Sequence, residues 1–177
     1  MSSNGTLKYG LRPTVRLADN VTPFAALFTL KQDDPDGHAA AIAKMIGAPE
    51  FGEAVSEMAL IHIFSMSRVG DKLLFQTNFD ADVVAYFEAF KDLEAPLREI
   101  LEHFEGAPGK DADFTALLEY IAAQQVDVIA YFCAYPELTV NQIRRDADWR
   151  KKVIDLQKSL AQPASKVAWG QSVSAVA

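Results

Sequence analysis

His62 is the residue of this 177-residue chain best placed for chemistry by its type and neighbours. It is a lone imidazole in the apolar run 59–64, expected to sit across from Phe79. In a dry cavity desolvation lowers an imidazole's basicity, so His62 could act as a general base or as a haem ligand. With one hydrogen-bond partner it is an ordinary strand histidine. Gln76 with Asn78, and Tyr131 with Cys133 and Tyr135, form a second group, each set at alternate positions. If both sets face one interior, amide, phenol and thiol groups stand among Ile61, Ile63 and Ile129, a mostly apolar pocket with a few orienting polar groups. Alternatively the amides satisfy strand ends and the tyrosines pack. Cys133 has no neighbouring motif that would activate its thiol. Glu99 and His103, four apart on a helix, could share a metal, but a solvated acidic face explains them as well. There is no HExxH, and no metal centre is expected. His38 reads as an exposed helix-start residue.

These side chains must be held by a small set of elements. Residues 60–79 read as two strands joined by a Gly70-Asp71 turn, whose twist suits paired strands. In that register Val69 pairs with Lys72, Ser67 with Leu74, Met66 with Phe75, Phe64 with Thr77 and His62 with Phe79. One face then carries Leu60, His62, Phe64, Met66, Leu73, Phe75, Thr77 and Phe79, a core wall. The other carries Ile61, Ile63, Ser65, Ser67, Leu74, Gln76 and Asn78, grading from apolar to polar. Residues 23–31 form an earlier strand, apolar on both faces. Asp33, Asp34 and Asp36 around Pro35 start a helix that Gly47 and Pro49 stop, and a few helical turns over 50–58 lead to the hairpin. After it, Asp80 or Asp82 caps a helix with Val83, Tyr86, Phe87 and Phe90. Pro96 breaks the helical run near Ala95. Asp111 or Asp113 starts another helix, and 126–135 (VDVIAYFCAY) read as the fourth strand. Thr139 with Gln142 is a capping box for a last helix, about 140–160. Residues 1–20 form an N-terminal arm, 21–161 a single domain, and 162–177 a C-terminal tail with Trp169.

Composition bounds the partners. Half the residues are apolar, 23% are charged, and 17 basic against 24 acidic residues give −7, the make-up of a globular domain. That charge argues against nucleic acid and anionic membranes, so the basic run Arg144, Arg145, Arg150, Lys151 and Lys152 reads as a solvated or acidic-partner face. The single cysteine excludes an intrachain disulfide. No apolar run has membrane-spanning length and the first residues lack a secretory pattern, so a cytoplasmic protein is expected. Phosphate-binding loops, dinucleotide fingerprints, GxSxG and CxxC are missing from the sequence.

The order strand, helix, strand, strand, helices, strand, plus an added helix, is the ferredoxin-like βαββαβ pattern, an α+β sheet with helices on one face. Strands that are apolar on both sides need a cover on the free face, and a second copy of the chain supplies one. Here the chain resembles the dimeric α/β-barrel superfamily, over about 22–136. The hairpin reading IHIFSMSR…LLFQTNFDAD and the later YPELTVNQIRRDA are similar to a group of small bacterial proteins within it. The resemblance implies a homodimer of ferredoxin-like units. The superfamily includes haem-dependent peroxidases and chlorite-decomposing enzymes, cofactor-free monooxygenases and small-molecule isomerases, and a shared fold does not choose among them. Two readings stay open. One is an enzyme on a small apolar or aromatic compound, oxidoreductase- or monooxygenase-like, with haem as one admissible cofactor and His62, Gln76, Asn78 and Tyr131 at the site. The other is a non-catalytic dimer that binds a ligand or a partner.

Overall fold

Four strands, β1 (Thr22–Thr29), β2 (Ile61–Val69), β3 (Lys72–Phe79) and β4 (Gln125–Val126), form an open, wholly antiparallel sheet in the order β2-β3-β1-β4. Helices α1 (Pro35–Ile46) and α2 (Pro49–Glu57) connect β1 to β2, and α3 (Val83–Ala89), α4 (Glu94–Leu101) and α5 (Phe114–Ala123) connect β3 to β4. Helix α6 (Val140–Ala161) follows. The protein is therefore α+β. The computed structural model describes residues 5–14 and 20–161, so the C-terminal tail with Trp169 lies outside the described residues. One unit runs to Asn141 and a second starts at Gln142; most of α6 is the described part of the second.

The hairpin follows the expected register from Val69–Lys72 through Ser67–Leu74 and Met66–Phe75 to Phe64–Thr77. Gly70 takes φ +64°, the left-handed conformation that the turn requires and that costs glycine nothing sterically. At the root the register slips by one residue. Ile61, not His62, stands opposite Phe79, and Ile63 stands opposite Asn78, so His62 is the extra residue of a β-bulge. The slip turns Ile61 toward the core and leaves Ile63 60% exposed. The two faces of the hairpin otherwise separate as expected. Leu73, Thr77 and Phe79 are buried, and Phe64, Met66 and Phe75 are partly so, while Ser65, Ser67 and Gln76 are exposed.

One continuous core joins that inner face, with Phe24, Ala26, Phe28 and Leu30 of β1, to Ile42 of α1, Tyr86 and Phe87 of α3, Ile100 and Leu101 of α4, and Leu117, Leu118 and Ile121 of α5. Phe79 and Tyr86 stack with centroids 3.6 Å apart, and Phe28 stacks on Phe104 at 4.7 Å. Three helices are capped by carboxylates, which suit the positive end of a helix. Asp34 accepts from the Gly37 N–H, Asp82 from the Val84 and Ala85 N–H groups, and Asp113 from that of Ala116. A 3₁₀ turn, Phe90–Leu93, separates α3 from α4. Pro96 then falls in the first turn of α4, where its missing N–H has no intrahelical partner to lose.

The fourth strand departs most from expectation. A strand over 126–135 would carry Tyr131, Cys133 and Tyr135, but pairing stops at Val126. The cause lies on β1. The Leu27 N–H donates to the Gln124 carbonyl, and Ala25 faces Val126. The next hydrogen-bonded pair in that ladder would set Pro23 against Val128, and proline has no N–H to give. The edge is closed instead by the N-terminal arm. The Gln125 amide exchanges two hydrogen bonds with the Arg12 backbone, and the Arg12 guanidinium reaches the Gln125 carbonyl and Asp127. Leu11 is buried, while Lys8 and the Tyr9 hydroxyl meet Glu88 on α3.

No atom lies near the place where a Cβ on Gly70 would stand, so Gly70→Ala tests the turn conformation alone. It is expected to cost about 1 kcal/mol in urea unfolding, with an unchanged denaturant slope.

Candidate functional site

Between the sheet's inner face and the helices lies a cavity of about 70 Å³. Phe28, Ile61, Phe64, Met66 and Phe75 form its sheet side. Ile46 of α1 with Phe51 and Val55 of α2 form one flank, and residues of α3, the 3₁₀ turn after it, α4, α5 and Phe104 the rest. No polar atom faces the space. The one hydroxyl-bearing side chain of the wall, Tyr86, sets its oxygen 3.3 Å from that of Thr77, and burial holds its phenol far above the ordinary range. The site can therefore hold an apolar body by dispersion and shape, and offers no acid or base at neutral pH. Helix α2 was legible as a helical turn or two in the sequence, with Phe51, Val55 and Met58 at helical spacing, but nothing in that spacing reveals the void beneath it.

His62 does not line this cavity. Its Nε2 lies 2.7 Å from Asp80 Oδ1, both side chains are at least five-sixths buried, and Asp80 Oδ2 accepts from the Val140 N–H at 2.8 Å. Asp80's own N–H donates to the Leu60 carbonyl at 2.8 Å. The corner that follows is held by Thr22, whose hydroxyl donates to the Ala81 carbonyl, with Ala81 at φ +83°. One carboxylate thus ties the bulge of β2 and the exit of β3 to the first N–H of α6, where negative charge is favoured.

The remaining candidates are dispersed. Gln76 is exposed and Asn78 half-buried on the outer sheet face, away from the cavity. Tyr131, Cys133 and Tyr135 lie in the unpaired segment beyond β4, where Ile129, Phe132 and Tyr135 are 94, 86 and 65% exposed. Burial, then the hydrogen bond of its O–H with the Cys133 sulfur, pushes the Tyr131 phenol up to about 12. The amide set and the phenol–thiol set therefore do not share a strand ladder. A haem does not fit these residues: the cavity is far smaller than a porphyrin, no histidine or cysteine lines it, and His62 gives its Nε2 to Asp80. Two histidines that the sequence left apart do meet. His38 and His103 stand with their Nδ1 atoms 2.8 Å apart, and Asp33 lies 2.9 Å from His38 Nε2.

Removing His62 strips a buried carboxylate of one partner, so His62→Ala is expected to cost about 1–3 kcal/mol. Asp80→Ala should cost at least as much, since it also frees the Val140 N–H. The double variant should lose clearly less than the two single losses combined; strict additivity in urea melts would show the pair is uncoupled.

Among the described residues no helix is long and apolar enough to cross a membrane. Compared with known proteins, the chain matches no family model, no curated protein and no solved structure.

Proposed function

We propose that this protein is a non-catalytic binding protein for a small apolar molecule, built as a homodimer of ferredoxin-like units. The observation that carries the binding reading is the carbon-walled cavity behind β2 and β3. The lining of such an apolar space gains contacts when a nonpolar guest fills it. At about 70 Å³ the space suits a molecule of a few heavy atoms or the end of an alkyl chain. Its lack of an ionisable group or free polar atom favours binding over catalysis. The strand order, with β1 between β3 and β4 and β2 outside β3, supports the ferredoxin-like assignment.

The outer sheet face supports the dimer. Leu27 and Thr29 of β1, Ile63, Ser65 and Ser67 of β2, and Leu74, Gln76 and Asn78 of β3 carry no charge, although the chain bears −7. Only Lys72, at the turn end, breaks the rule. A two-fold interface sets a patch against its own copy, so a charged patch would repel itself while an uncharged one does not. Amides such as Gln76 and Asn78 both donate and accept, and so can pair with their own copies.

Xenon is the probe for the cavity. Under xenon pressure the methyl NMR signals of Met66, Ile46 and Ile61 should shift saturably, and Val55→Phe should abolish the shifts while preserving the circular-dichroism spectrum. Absent shifts, or equal shifts in a folded Val55→Phe protein, count against the cavity as a binding site. For the assembly, light scattering coupled to size exclusion should return twice the chain mass, falling to one chain in Ile63→Lys. A wild-type monomer would remove the second copy from the proposal.

A further inference from the structure

We propose that His38 and His103 form a binding site for a divalent transition-metal ion of the zinc, nickel or copper class, with Asp33 as the carboxylate that orients His38. The two imidazoles come from separate elements, 65 positions apart, and their Nδ1 atoms aim at each other across 2.8 Å. Asp33 accepts at His38 Nε2, so that nitrogen carries its hydrogen. In neutral His38 the Nδ1 lone pair is then bare, and the proton between the rings belongs to His103. When His103 takes its other tautomer, with that proton on Nε2, both Nδ1 lone pairs are bare and a metal ion can stand between them. Tetrahedral bonds of about 2.0–2.1 Å place two ligating nitrogens roughly 3.3 Å apart, so the rings must part by about half an ångström and tilt for their lone pairs to converge on the ion.

Carboxylate, imidazole and ligating nitrogen in series is the arrangement by which proteins hold a metal-binding histidine in its tautomer and orientation. The supporting backbone is well fixed. His38 lies in the first turn of α1, its N–H donating to the Asp34 carbonyl. His103 follows α4, and its carbonyl accepts from the Lys31 N–H, beside the bridge between Leu30 and Phe104.

Among the described residues no third histidine, cysteine or carboxylate completes the set. The remaining positions therefore go to water or to a small ligand, and binding is weaker than at a closed four-ligand site. Imidazole donors select zinc, nickel or copper over calcium and magnesium, which prefer oxygen. This site does not depend on what fills the cavity. It does join two of the cavity's flanks, because Ile46 ends α1 while Leu101 and Phe104 bracket His103.

The test is zinc titration by calorimetry on the full chain without a histidine tag, with the imidazole NMR signals followed in parallel. One ion per chain is expected, moving the His38 and His103 signals and leaving those of His62 in place. His38→Ala and the more conservative His103→Gln should each abolish binding, and Asp33→Asn should weaken it by about ten- to a hundredfold. Failure of wild type to saturate at one ion per chain overturns the site. So does undiminished binding in either folded histidine variant, or zinc shifting His62 instead. Magnesium competing equally with zinc would also defeat the imidazole assignment.

Discussion

The buried carboxylate of Asp80 is the joint on which the rest of the fold turns. It stands one residue past Phe79, the fully buried ring that stacks on Tyr86, and accepts from both sides. One oxygen faces the imidazole at the bulge of β2 and the other the first amide of α6. A carboxylate with so little contact with water is stable only when its lone pairs are filled, so the bulge, the exit of β3 and the backbone at Val140 constrain one another. The bulge follows from the same geometry. An extra residue at the root lets Ile61 turn into the core while His62 reaches Asp80, which a regular ladder could not do together.

How far the chain could be read in advance depended on the range of the interaction involved. The Gly70-Asp71 turn and the alternation around it are local, and the register from Val69 back to Phe64 follows from them. The bulge does not, because Ile61 and Ile63 are equally apolar and either could have faced the core. The β-branched and aromatic run 126–135 predicts a fourth strand, but pairing ends at Val126. The signal against it was present, a hundred positions earlier, in Pro23, whose missing donor matters only once the pairing of β1 and β4 is known. The meeting of His38 and His103 is of the same kind, since each has a bland local setting and acquires meaning only from tertiary placement. The void is less legible still. It depends on how ring shapes fit, and eight of its seventeen wall residues are aromatic, too rigid to collapse into the gap.

A sheet covered by one layer of helices divides its chemistry between its faces. Behind it, the wall of Phe28, Phe64, Phe75 and their neighbours presents no polar atom, so contacts there rest on dispersion and shape. In front, serines, amides and isolated aliphatic side chains offer hydrogen bonds without net charge. Under the proposed function, selectivity for a guest and recognition of a second copy are set by separate residues, and a change in one face leaves the other's surface chemistry intact.

Pro23 also orders events in time. The ladder it interrupts ends at Val126, and among the described residues the buried apolar side chains come before residue 123, with Val140 alone following. During synthesis the sheet, its helical layer and the void between them can close while the remaining residues are still being added. The apolar run after Val126 then emerges beside a finished edge that cannot take it up as a strand.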